Sequence, residues 1–166
     1  MRARCSLSAV IFLVLMLMGC DHERERKKIL QTFLARAVPC PAPCVVDLQL
    51  DTQGDIVHAG IGDRQDVIGF KDSDFANGDV TVQWRSNAGH WTVVFQRPDP
   101  NVLGSGTPCV KPNSGNPPKP AYVIEQDGTV SQCVMTSASI GPKGSYFHYT
   151  AIVDGAVSDP GIAHTN

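Results

Sequence analysis

The chain has 166 residues and a formal net charge of −2, and 42% of its residues are hydrophobic. That length suits one domain able to bury a core. A mildly acidic chain lacks the electrostatic footprint of a nucleic-acid binder, so that class of partner is excluded.

Arg2 and Arg4 precede an apolar run from Leu7 to Met18 that only Ser8 interrupts. Crossing about 30 Å of hydrocarbon takes roughly 20 residues, so this run is too short for a membrane span. Residues 1–19 read instead as a secretory signal peptide. The run ends in Leu17-Met18-Gly19-Cys20, an order that resembles the lipobox of bacterial lipoproteins. The resemblance implies lipidation of Cys20 with acyl chains such as palmitate. Each buried CH₂ contributes about 0.8 kcal/mol, so several chains make a lasting anchor. The membrane is then a partner through lipid, and the folded part faces the periplasm of the cell envelope. Asp21 resembles the signal that retains enteric lipoproteins at the inner membrane, which favours that membrane over the outer one.

Residues 20–39 read as a lipidated tether with a short amphipathic helix. Ile29, Leu30, Phe33, Leu34 and Ala37 recur at helical spacing. Asp21 can cap the helix, Glu23 and Glu25 suit its start, Arg36 suits its last turn, and Pro39 stops it. The apolar stripe is expected to dock on the domain rather than on the bilayer.

Cys5 leaves with the signal peptide and Cys20 goes to lipid, so Cys40, Cys44, Cys109 and Cys133 remain. An even set of thiols in an oxidising compartment argues for disulfides. More than one pairing is open; chain proximity favours Cys40 with Cys44 and Cys109 with Cys133. Closing the second loop would stabilise by about 3 kcal/mol in the chain-entropy model. The C-x₃-C spacing of Cys40-Pro41-Ala42-Pro43-Cys44 also occurs in copper chaperones of thioredoxin fold, where thiolates suit Cu(I). Prolines beside both cysteines fit a rigid disulfide-closed turn better.

From residue 40 to 166 the pattern is that of strands. Val45–Leu50, Ile56–Gly60, Asp66–Phe70, Val80–Trp84, Trp91–Gln96, Ala121–Glu125, Thr129–Met135 and Tyr146–Val153 are rich in β-branched and aromatic residues. Turn formers such as Asn77-Gly78-Asp79 and Asp127-Gly128 separate them. Short strands with this punctuation predict an all-β sandwich. Residues 97–120 hold most of the prolines and predict one long irregular loop, stapled by Cys109 to the strand bearing Cys133.

The stretch Asn77 to Phe95, with Gly78-Asp79-Val80-Thr81-Val82-Gln83-Trp84 running into His90-Trp91-Thr92-Val93-Val94-Phe95, resembles the central hairpin of cupredoxins. Gly144-Ser145-Tyr146-Phe147-His148-Tyr149-Thr150 is similar to the strand that precedes the copper loop in that family. The resemblance implies a Greek-key cupredoxin-like β-sandwich and makes His90 the counterpart of the first copper histidine. Where the family places its remaining copper ligands, this chain has Thr150-Ala151-Ile152-Val153-Asp154-Gly155, without cysteine or histidine. The type 1 site is therefore absent. The closing Asp154 to Ile162 resembles the hairpin and Asp-Pro-x-Ile strand of copper-free cupredoxin-like bacterial proteins.

The remaining candidates for chemistry are sparse. His58, His90, His148 and His164 form no H-x-H or H-x₃-H pair, and a lone strand histidine reads as a surface residue. Alternation puts His148 with Tyr146 and Thr150 on an outward face, opposite Phe147, Tyr149 and Ala151. No G-x-S-x-G elbow is present. Of Trp84 and Trp91, one is expected in the core and the other over the end of the sandwich, where it would permit a low-ranked carbohydrate reading. The sequence thus predicts a non-enzymatic, membrane-anchored interaction domain without cofactor, which binds an envelope protein or other envelope component through the Pro-rich loop and the turn around His90. The alternative is a copper-binding or copper-transfer lipoprotein using Cys40, Cys44 and His90.

Overall fold

The computed structural model describes residues 23–40, 43–51, 57–61, 64–65 and 67–165. The expected signal peptide, Cys20 and the expected Asp21 cap lie outside the described residues. Among these described residues the fold is mostly β, with two sheets and one α-helix, α1, over residues 23–36.

Twelve strands follow: β1 Val38–Pro39, β2 Cys44–Leu50, β3 Val57–Ile61, β4 Arg64–Gln65, β5 Val67–Phe70, β6 Val80–Arg85, β7 Trp91–Phe95, β8 Val123–Glu125, β9 Cys133–Met135, β10 Tyr146–Val153, β11 Ala156–Ser158 and β12 Gly161–His164. A seven-stranded sheet has the order β1-β5-β12-β10-β7-β8, with β11 paired to β10; a five-stranded sheet has the order β4-β3-β2-β6-β9. Within them β1, β5 and β12 run parallel, as do β2 and β6. The other pairings are antiparallel.

Alternation along the strands makes the core. Cys44, Val46 and Leu48 of β2, Val80, Val82 and Trp84 of β6, Trp91, Val93 and Phe95 of β7, and Tyr149, Ala151 and Val153 of β10 are all buried. Successive side chains of a strand point to opposite faces, so these sets meet between the sheets while their neighbours face outward.

β5 and β12 break the alternation, with every residue buried. Ile68, Phe70 and Ile162 enter the main core, whereas Val67 and Ala163 join Tyr146 under Leu30, Phe33, Leu34 and Ala37 of the helical segment. Parallel strands covered on both faces lose the polar side of the pattern. Phe33 stacks on Tyr146 with ring centroids 4.7 Å apart. The helix thus docks on its own domain, leaving Ile29 exposed. Gly69 permits this closeness: a Cβ there would come within 3.0 Å of Ala37 Cβ and 3.1 Å of Thr165 Cγ2.

Several boundaries differ from expectation. The helix ends at residue 36, and Pro39 lies in edge strand β1 instead of serving only as a stop. An edge position tolerates the missing N–H. The strands expected at Ala121–Glu125 and Thr129–Met135 shrink to β8 and β9, because the intervening backbone closes a tight turn through Glu125 N–H to Val130 O at 2.9 Å and Gly128 N–H to Glu125 O at 3.2 Å. Asp154 and Gly155 take φ of +46° and +92° between β10 and β11, the left-handed pair that a two-residue hairpin requires.

The Pro-rich segment is irregular but anchored. Cys109 is joined to Cys133, Val110 bridges both Pro120 and Val134, and Lys111 N–H donates to Lys119 O at 2.8 Å. The loop thereby covers the free edge of β9, which would otherwise present unpaired backbone groups.

Candidate interaction surface

The five-stranded sheet turns a polar outer face to solvent. β2 contributes Asp47 and Gln49, and the parallel register sets Asp47 directly beside Arg85 of β6. Arg85 forms a two-pronged ion pair with Asp47: Nε donates to Oδ1, and Nη2 donates to Oδ2 at 3.2 Å. Hydrogen bonding to Asp47 first, and its charge second, push the guanidinium above its already high ordinary value. Nearby, Gln83 Nε2 donates to Gln132 Oε1 at 3.3 Å.

Grooves open on either side of Arg85 and Ser86. One, of about 350 Å³, is lined by Asp47, Leu48, Gln49, Arg85, Ser86 and Asn87. The other, of about 310 Å³, takes in Gln83, Trp84, Trp91, Gln126, Ser131 and Gln132 beside the same Arg85 and Ser86. Amides, hydroxyls and one ion pair line them together with Leu48, Trp84 and Trp91, which suits hydrogen-bonded recognition of a largely polar surface.

The turn from Ser86 to His90 that borders these grooves is held by the end of β10, the strand beside β7 in the same sheet. His90 N–H donates to Asp154 Oδ1 at 3.2 Å, Asp154 N–H donates back to His90 O at 3.2 Å, and Ala88 N–H donates to Ser86 Oγ at 3.1 Å. A Cβ on Gly89 would fall on the Asp154 carboxylate, so the close approach requires glycine there. The His90 ring is exposed and stands 3.9 Å from the Asp127 carboxylate.

The second polar cluster lies at the end of β12. His164 is only 4% exposed, with Nδ1 2.8 Å from Gly141 O and Nε2 3.0 Å from Asp72 Oδ1. Lys143 Nζ lies 3.1 Å from Asp72 Oδ2. The Lys143 hydrogen bond is the chief influence holding Asp72 below the usual carboxylate range; partial desolvation opposes it, and the Lys143 charge and His164 add to it. His164 has both ring nitrogens engaged within the fold. It ties β12 to the loop at Gly141 and to the 3-10 turn Asp72–Phe75.

These positions correct several expectations. The His90 turn precedes β7 and the start of the Pro-rich loop follows it, so these two parts of the expected contact surface sit at opposite ends of that strand, while the middle of the loop returns to β9 through Val110. Trp84 and Trp91 are both buried, which removes the exposed ring that a carbohydrate platform needs. Trp84 Nε1–H donates to Tyr149 Oη at 3.3 Å, and the Trp84 and Tyr149 rings meet edge to face. Tyr146, expected outward, is buried because α1 covers it, and His148 on the same strand is half-buried. His164 is buried, not a surface residue.

Cys40 is bonded to Cys44, and both sulfurs are held in the core. The free thiolates of the copper alternative are thus tied up, and Cys44 pairs with Val82 in mid-sheet while His90 lies beyond the end of β6. Among the described residues no group of three or more His, Cys, Asp or Glu side chains is arranged to hold a metal ion. His58 lies on β3, and its side chain is outside the described part.

Sequence reasoning missed the Asp47–Arg85 pair. Alternation marks both residues as outward-facing, but nothing local reports that β2 and β6 run parallel in this register. No protein-family model, curated protein or solved structure matches the chain.

Proposed function

We propose that this chain is a bacterial lipoprotein, anchored through Cys20 to the periplasmic face of the envelope, whose β-sandwich is a non-enzymatic interaction domain. The observation that carries the interaction reading is the contrast between the two outer faces. The helix covers part of one, while the other presents the Asp47–Arg85 pair, Gln83 and Gln132 around open grooves. A polar partner in the envelope would seat there and against the Ser86 to His90 turn, rather than on the Pro-rich loop. We assign the sandwich to the Greek-key cupredoxin-like type lacking type 1 copper ligands. The motif residues from Val80 to Phe95 and from Tyr146 to Ile162, which fall on β6, β7, β10 and β12, support that assignment.

The test is a photoreactive residue introduced at Gln83 or Asn87 in cells, with Asn113 in the Pro-rich loop as the comparison site. Adducts of one defined mass are expected at Gln83 and Asn87 and not at Asn113. Arg85→Glu should lower their yield about tenfold, equivalent to 1.4 kcal/mol of binding, while melting falls only slightly, since the carboxylate then facing Asp47 is on an exposed surface. Equal adducts at all sites, or adducts indifferent to Arg85→Glu, would refute this surface.

A further inference from the structure

The docked helix leaves almost no slack behind the acylation site. Only Asp21 and His22 separate Cys20 from residue 23, where the described helix is already in place. Three residue steps span at most on the order of 10 Å in any conformation. The helix itself cannot swing free while Phe33 is stacked on Tyr146 and Leu30, Leu34 and Ala37 pack on Val67 and Ala163. Its first turns are further clamped to the loop after β7: Arg26 donates from Nη1 and Nη2 to Pro100 O at 3.3 Å each. Acyl chains on Cys20 would therefore hold the start of α1, and with it this loop, at the bilayer surface.

We propose that the start of α1 and the turn around Pro100 to Val102 form a membrane-resting edge that seats on anionic headgroups. This rests on the acylation of Cys20 proposed above. Two further observations fit that occupant. Arg24, Lys27 and Lys28 outnumber Glu23 and Glu25 among the exposed side chains of the first turns of α1, and an anionic surface attracts such an excess of cations. Val102, at 37% exposure, is among the few large hydrophobic side chains left open. The Arg85–His90 end lies a full strand of β7 away, so the bilayer would leave the proposed partner surface free.

The experiment uses the full-length protein purified from membranes, carrying a spin label at Val102→Cys or at Asn87→Cys. It is reconstituted into phosphatidylethanolamine vesicles containing phosphatidylglycerol. On transfer from detergent to vesicles, the label at 102 should lose several-fold of its accessibility to a water-soluble nickel chelate, while the label at 87 keeps its own. Lys27→Glu with Lys28→Glu should restore part of the accessibility at 102, the acyl tether still holding the start of α1 near the bilayer. The mass of the same sample reports acylation. An unacylated chain sinks the anchor and the membrane edge together. An acylated chain whose label at 102 stays as accessible as that at 87, or whose protection ignores the charge reversal, sinks the membrane edge alone.

Discussion

Tyr149 shows how one side chain joins both layers of the core. It is buried between Trp84 and Phe95, with ring centroids 5.5 Å and 5.4 Å away, and its hydroxyl accepts the Trp84 indole N–H. Tyr149→Phe keeps the packing but strands that donor in the interior, at a cost of about 1–3 kcal/mol, measurable by urea unfolding. Burial, the chief cause, pushes the phenol far above its ordinary value, against the Trp84 hydrogen bond. Because the folded value lies above the unfolded one, the stability linked to this proton is complete below about pH 10 and declines as pH rises beyond it. The alkaline decline should be shallower in Tyr149→Phe. At this scale the sequence was partly legible: alternation identified Tyr149 as inward-facing, but the same rule sent Tyr146 outward. The period-two rule reports which face a residue takes, not what covers that face.

At the scale of elements, the two disulfides differ in what they close. Cys109–Cys133 spans 24 residues and ties the Pro-rich loop to β9, whereas Cys40–Cys44 spans four. The combined Cys109→Ser and Cys133→Ser variant should lose about 3 kcal/mol in unfolding experiments, and the Cys40→Ser, Cys44→Ser variant distinctly less. Equal losses would mean that the loop is held by its backbone bridges alone. Chain proximity pointed to these pairings, and the amphipathic stripe located α1 because helical periodicity is local. The short strands β1 and β4 were missed, since two residues carry no period and form only because a neighbouring strand offers partners.

For the molecule as a whole, the compartment and the chemistry are linked through sulfur. Protein extracted without reductant, then denatured and alkylated, should show no reactive thiol at positions 40, 44, 109 and 133. Two alkylated cysteines at 40 and 44, together with Cu(I) uptake abolished by Cys44→Ser, would instead favour the copper-transfer alternative. The proposed partner surface and the proposed membrane-resting edge lie at different ends of β7, and together they would orient the sandwich relative to a bilayer.

The sequence by itself determined the β-rich class, the helix and the local cysteine pairs, and it carries the address implied by Cys20. Each of these depends on residues close together in the chain. Only the tertiary structure decided that α1 covers Tyr146, that His164 is enclosed by Asp72 and Gly141, that both tryptophans are interior, and that Asp47 meets Arg85. These are contacts between distant segments, set by which strands pair and in what register, and no local pattern of side chains encodes that choice.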